Sequence, residues 1–330
     1  MITRRTLVGW LVLVFLLAFT SSAEPAPARS ANLRIGLPGL LASSWPVYAA
    51  AKQGFFKQEG LDVEMIEIRQ STLQLQALSS EDIQISKNAV FSVARAAAHG
   101  LPVKFIGSAQ QKPNARLIVN KSIRGWEDLK GKILAGGSPG GPTHAMLVGM
   151  LDINGLSKGD YQILSMGISN DRLYALRVGR VAGALLSPPD DFILLDEGFK
   201  SLGFVGDYLK DLEYNGFAVN TNWAARNSDT VVAFMRAMIK ATTWIHRPAN
   251  KNEAIKVLQA HIPFKPAWLE GVYDQLVRQK MLSTDARPNL KAVENTIELS
   301  VKYGVGISST PPLNSWVDLS YVEKATASLR

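Results

Sequence analysis

Residues 136–143 read Gly-Gly-Ser-Pro-Gly-Gly-Pro-Thr, placed after a short apolar run and at the start of a helical pattern. Glycines there let backbone N–H groups turn toward a bound group, and the positive end of the following helix favours an anion or a polar head group. Pro142 suits the first helical turn, where an N–H has no partner in any case. Ser138 and Thr143 add hydroxyls, and Gly140 and Gly141 would supply amides at positive φ, so these four are candidate ligand contacts. A plain strand-to-helix turn is the alternative. Residues 136–140 also match the G-x-S-x-G nucleophile elbow, and Asp190 or Asp191 followed by His246 or His261 keep the Ser-Asp-His order of a hydrolase. In that elbow the residue after the serine gives its N–H to the oxyanion. Here that residue is Pro139, which has none, and no HGGG-type loop accompanies it. The expected chemistry is binding with no catalytic step.

Other contacts follow from the rule that open parallel sheets bind ligands beyond the carboxyl ends of their strands. The rule selects the loop Leu41 to Pro46, where Ser43 or Ser44 either caps the next helix or offers a hydroxyl beside the Trp45 ring. It also selects Ser86-Lys87-Asn88, Ala109-Gln110-Gln111 and Ser187-Pro188-Pro189. Lys87 is the fixed cation among these positions, at a helix start where the dipole disfavours a cation. The candidate contacts are therefore Ser43, Ser44, Trp45, Lys87 and Asn88, facing Ser138, Gly140, Gly141, Thr143 and Ser187. His99, His144, His246 and His261 are spread out with no metal-binding spacing, and only His144 lies near the glycine-rich turn. No Walker, dinucleotide or EF-hand pattern is present, so neither cofactor nor metal is expected. Lysines and arginines are scattered despite a net charge of +8, which excludes a nucleic-acid track.

The elements that must hold these residues alternate between β-like and helical runs, which predicts parallel sheets with crossover helices. A first unit has strands at 33–37, 61–68, 83–86 and 103–107, with helices at 45–52, 72–78 and 89–98. A second has strands at 116–120, 132–135, 161–164 and 181–186, with helices at 143–153 and 171–178. After Gly216 the pattern is helical, over 230–246, 253–261, 267–281, 290–303 and 321–329. With 330 residues, 47% hydrophobic and 19% charged, the chain has enough for two α/β lobes.

Arg4 and Arg5, the apolar run Leu7 to Phe19 and Ser21-Ser22-Ala23 have the layout of a secretory signal; the run is shorter than the roughly 20 residues of a spanning helix. Residues 1–23 are expected to be a signal peptide and 24–31 a linker. Cysteine is absent, so the chain has no disulfide, no thiolate metal site and no acylated cysteine of a lipoprotein. A Gram-negative periplasm is the expected location.

Four segments resemble the periplasmic substrate-binding proteins of the nitrate/sulfonate/taurine group of ABC importers, which includes binders of thiamine-pyrimidine precursors. They are Pro46 to Glu64, with Gly54-Phe55-Phe56 and Glu59-Gly60-Leu61; Trp126 to Lys132; Ala175-Leu176 with Gly179-Arg180-Val181 leading to Ser187-Pro188; and Trp223 through Phe234. The chain departs from the family pattern at Ser80-Glu81-Asp82-Ile83 and at Ala182. The resemblance implies a two-lobed periplasmic-binding-protein type II fold, each lobe a sheet flanked by helices, with a helical C-terminal tail. Lobe 1 would comprise 32–110 and 217–330 and lobe 2 111–216, with hinge crossings near Gln110 to Asn114 and Tyr214 to Gly216. It further implies hinge closure on a small organic anion, a sulfonate or carboxylate, by a monomer that delivers it to an ABC permease with its ATPase. Alternatives are the serine hydrolase, a sensor, or an enzyme on the same fold such as the thiamine-pyrimidine synthase, whose cysteine-rich motif this chain lacks.

Overall fold

The computed structural model describes residues 30–39, 41–139, 141–209, 211–262, 265–303, 309 and 311–330. The expected signal peptide, most of the linker and Gly140 lie outside the described residues.

Strands β1 (Ala31–Leu37), β2 (Leu61–Glu67), β3 (Ile85–Ala89) and β4 (Val103–Gln110) are linked by α1 (Trp45–Lys52), α2 (Phe55–Gln58), α3 (Ser71–Ser79) and α4 (Val90–Ala98). β1 pairs in parallel with β2 and with β3, Ile35 lying opposite Met65 on one side and Ile85 on the other. A second set follows: β5 (Arg116–Val119), β6 (Lys132–Gly136), α5 (Pro142–Ile153), β7 (Tyr161–Ser165), α6 (Ser169–Arg177), β8 (Gly183–Leu186), α7 (Asp190–Asp196), β9 (Lys200–Phe204) and α8 (Val205–Tyr208). Its sheet has the order β7-β6-β8-β5-β9. β5 runs antiparallel to β8 and β9, so the expectation of a purely parallel sheet is corrected.

The same correction applies to the first sheet. The helical region expected after Gly216 begins instead inside a strand, β10 (Asn215–Asn220), which lies between β3 and β4 and antiparallel to both. All six residues of β10 are buried. A strand covered on both faces has no alternation to betray it. Gly216 makes the insertion possible, because a Cβ there would sit 2.0 Å from the Gly107 carbonyl oxygen. The resulting order is β2-β1-β3-β10-β4. The chain thus passes between sheets twice, from β4 to β5 and from α8 to β10. The two passages touch: the Tyr214 amide donates to Gln111 O at 3.1 Å and Asn215 Nδ2 to Gln110 Oε1 at 3.4 Å, while Gln110 Nε2 braces the first passage through Lys112 O and Asn114 Oδ1.

The tail consists of α9 (Thr221–Arg226), α10 (Ser228–His246), α11 (Lys251–His261), α12 (Pro266–Tyr273), α13 (Leu290–Lys302), α14 (Leu313–Trp316) and α15 (Ser320–Ser328). In α10, Val231, Phe234, Met235, Met238 and Thr242 form the buried stripe that the helical period requires. That stripe packs with Trp45, Val47 and Tyr48 of α1 against the first sheet. The single helix expected over 267–281 gives way after Tyr273 to a π turn at Asp274–Arg278. The strap after it runs beside β4, with Ser108 N donating to Ala286 O at 2.8 Å.

Candidate functional site

β3 places Lys87 and Asn88 on opposite faces of the first sheet, as strand alternation demands. Both lie within the strand, Lys87 opposite Phe217 and Asn88 opposite Gly216 of β10. The Lys87 side chain runs to the face covered by α1 and is 1% exposed. Its ammonium donates to Ser43 Oγ at 2.9 Å, the one hydrogen bond it makes among the described residues. Among the described residues no carboxylate pairs with it, and burial pulls its pKa down to about 7.

Asn88 faces α3. Its amide nitrogen donates to Gln74 Oε1 at 2.8 Å, where Ser86 Oγ also donates, and its carbonyl oxygen accepts the Ala89 amide. Two donors on one Gln74 oxygen leave Gln74 Nε2 buried without a partner. Asn88 is thus held in one orientation by its own network. Gln74 escaped the sequence reading. Its signal was a polar residue in the buried stripe of α3 beside Leu75 and Leu78.

The opening loop divides its expected roles. Ser43 meets Lys87, whereas neither it nor Ser44 caps α1 through its side chain. Ser44 is fully buried next to Tyr48, whose hydroxyl reaches Gly39 O at 3.4 Å and whose pKa burial pushes up to about 12. Trp45 does not face a ligand. Its ring is fully buried, its indole N–H donates to Ala254 O at 2.9 Å, and Tyr273 packs edge-on against it. The apolar neighbours Val47 and Tyr48 draw it into the core.

In the second sheet, β6 ends at Gly136 and the glycine-rich turn leads into α5. Gly137 is needed for close approach, since a Cβ there would sit 2.8 Å from Thr143 Cβ. Gly141 differs from expectation: its φ of −104° is extended, and its amide donates to Ser138 O at 2.9 Å. That closes the turn, and among the described residues the amides of Thr143 and His144, in the first helical turn, have no partner within the helix. Ser138 is exposed, and Gly141 and Thr143 are half-buried. His144 Nδ1 is buried without a partner, and desolvation lowers the ring's pKa.

Beyond β8, the Ser187 amide donates to Ser169 Oγ at 3.1 Å. Asp190 is buried there beside Ser169 and Asn170, and burial raises its pKa against their pull. Arg172, unnoticed in the sequence, is 4% exposed and donates to Leu185 O at 2.8 Å and to Met166 O and Gly167 O at 3.0 Å. Its signal was a charge on the buried stripe of α6 with Ser169, Leu173 and Leu176. Asp191 takes the Arg116 guanidinium at 3.1 Å, and burial, outweighing Arg116, pushes its pKa up to about 7.

The two sets of strand ends meet. Phe91 of α4 and Pro142, Ala145 and Met146 of α5 line one small cavity with Pro113 and Tyr214 of the two crossings. The hydrolase constellation is not assembled. His246 Nδ1 bonds Thr242 O, His261 stacks on Tyr48 with centroids 4.1 Å apart, and Asp191 is engaged with Arg116. Among the described residues no group of three or more His, Cys, Asp or Glu could hold a metal ion.

Comparison with known proteins agrees with this geometry. YtlA of Bacillus subtilis (strain 168), provisionally named a binding protein, is 24% identical over 298 residues, 86% of each chain. A Haemophilus influenzae protein, provisionally assigned to thiamine biosynthesis, is 27% identical over 233 residues, 70% of this chain and 72% of the other. The alkanesulfonate-binding protein SsuA of Xanthomonas axonopodis pv. citri, solved with MOPS bound, superposes with a TM-score of 0.71 at 20% identity, covering 88% of this chain and 100% of that one. The fold is the two-lobed type II periplasmic-binding-protein fold with a helical tail. The NMT1/THI5-like family model matches residues 42–251, more than half of the sequence, and the chain belongs to that family.

Proposed function

We propose that the protein is a solute receptor of the periplasm that closes around a small organic anion and delivers it to the permease and ATPase of an ABC importer. The bodies that close would be residues 32–110 with 217–330 and residues 111–216, bending at 110–114 and 214–216. The observation that carries this reading is Lys87. A buried ammonium with one hydroxyl partner and no carboxylate among the described residues is costly, and an anion at that place would remove the cost. The first-turn amides of α5, with Ser138, Gly140, Gly141, Thr143 and Ser187 around them, would hold the ligand from the second lobe. Ser43, 2.9 Å from the Lys87 ammonium, would complete the first. Contacts made to both lobes at once favour closure, which lets a transporter tell loaded receptor from empty. The sulfonate-binding relative supports an anionic head group, and the family and fold support the importer role.

Native mass spectrometry of freshly purified protein, followed by a thermal-shift panel of nitrate, MOPS, other sulfonates, carboxylates and pyrimidines, tests the reading. A stabilisation by one or more anions is expected, because a ligand that binds only the folded chain raises its stability by mass action. No retained solute and no shift across the panel would overturn it.

A further inference from the structure

We propose that α13 is a strap between the lobes that moves with the first and latches onto α5 of the second, so that a contact outside the ligand site sets the open-to-closed balance. The N-terminal half of α13 is tied down by buried groups. Asn289 Oδ1 accepts the Ala292 amide, and the Asn289 amide donates to Glu213 Oε2 at 3.0 Å. Glu213 stands just before the second crossing, where Ser108 Oγ of β4 donates to its other oxygen and so fastens it to the first sheet, and the Glu213 amide donates to Thr296 Oγ1. Val293 and Ile297 sit fully buried in a cluster made mostly of first-lobe residues, Phe91 and Ala94 of α4 and Trp316 among them, with Ala145 of α5 at its edge.

The C-terminal half meets the other lobe differently. Leu299 packs on the second-lobe cluster that contains Met146 and Leu209. Along α5, Ala145, Gly149 and Asp152 recur at helical spacing on one face. Gly149 leaves room for the Tyr303 ring: a Cβ there would lie 3.2 Å from Tyr303 Cε2 and 3.0 Å from Leu209 Cδ2. Past it, Asp152 Oδ2 accepts the Tyr303 hydroxyl at 2.8 Å and the Lys302 ammonium at 3.0 Å. The Asp152 and Lys302 side chains are 48% and 63% exposed. Hinge bending cannot preserve both ends of a rigid helix. The buried, hydrogen-bonded end holds, and the half-exposed carboxylate with its two donors lets go. The strap rests on the receptor reading only in requiring that the lobes move.

The chain has no cysteine, so Lys57→Cys on the first lobe and Lys158→Cys on the second accept a spin-label pair without background. Pulsed dipolar spectroscopy then reads the distance between lobes with no solute present. Asp152→Asn combined with Tyr303→Phe should move the ratio of the two inter-lobe distances about three- to tenfold away from the one in which the latch is made, the scale of one or two half-exposed hydrogen bonds. Gly149→Leu, which fills the space under the Tyr303 ring, should shift the ratio the same way. Glu127→Gln, which breaks an exposed ion pair within the second lobe, should leave it unchanged. An unaltered distribution in the folded Asp152→Asn/Tyr303→Phe protein would overturn the strap. Because no solute is used, that result would leave the receptor reading standing, and an empty solute panel would leave the strap standing.

Discussion

The strand ends of the two lobes handle buried charge in opposite ways. In the second lobe the cations are spoken for: Arg172 gives three hydrogen bonds to backbone carbonyls and Arg116 pairs with Asp191. In the first lobe Lys87 is buried as deeply with one hydroxyl for company. A guanidinium whose donors are satisfied by turns is a structural brace. An ammonium with no acid partner among the described residues carries a desolvation cost that nothing there offsets. On the proposed reading, that contrast would give the grip on negative charge to the first lobe and the turn before α5 would supply amides from the second.

The largest effect that would break this comparison is on stability. Arg172→Met strips donors from three carbonyls and a cation from beside Asp190, and should cost about 3 kcal/mol or more in chemical denaturation. Lys87→Met should do the reverse. It removes an uncompensated buried charge, so stability holds or rises, while affinity for an anion found by the solute panel falls about 30- to 150-fold by calorimetry. If Arg172→Met proved harmless and Lys87→Met unfolded the protein, the roles of the two lobes would be exchanged.

The pH dependence sharpens the same contrast. Glu213, buried with Ser108 and Asn289 as donors, has its pKa pushed up to about 7. Between roughly pH 4 and 7 it keeps a proton that the unfolded chain has lost, so stability falls as pH rises. Lys87, lowered from 10.5 to about 7, has shed a proton that the unfolded lysine keeps up to about pH 10, so stability rises again on the alkaline side. Thermal melts without solute should therefore show a minimum near neutrality, and Lys87→Met should flatten only the alkaline limb. A smaller effect is expected at Ser43→Ala, which removes the one partner of Lys87 and should weaken anion binding about fivefold.

Much of this was legible in the residues. The strand-end rule selected Lys87 and Ser43 without knowing that they touch, and the period of α10 named its buried stripe. Trp45 was misread because a ring at a loop end looks available until the core around Tyr273 and Ala254 is seen. β10 was invisible for a related reason: Asn-Gly-Phe-Ala-Val-Asn is buried on both faces, so the two-residue alternation that marks a strand is missing. Arg172 went unnoticed because a charge on a helix is ordinarily solvated; only its position on a buried stripe betrayed it. Local pattern reports which face of an element is wet, and contacts between distant elements decide the rest.

The measurement closest to the central claim is the pKa of Lys87 itself, followed by NMR of isotopically labelled lysine side chains with and without the tightest anion of the panel. A value near 7 in the free protein, raised by two units or so when the anion is bound, is the predicted result. A Lys87 whose titration does not move on saturation with the anion would contradict its role as the anion's seat.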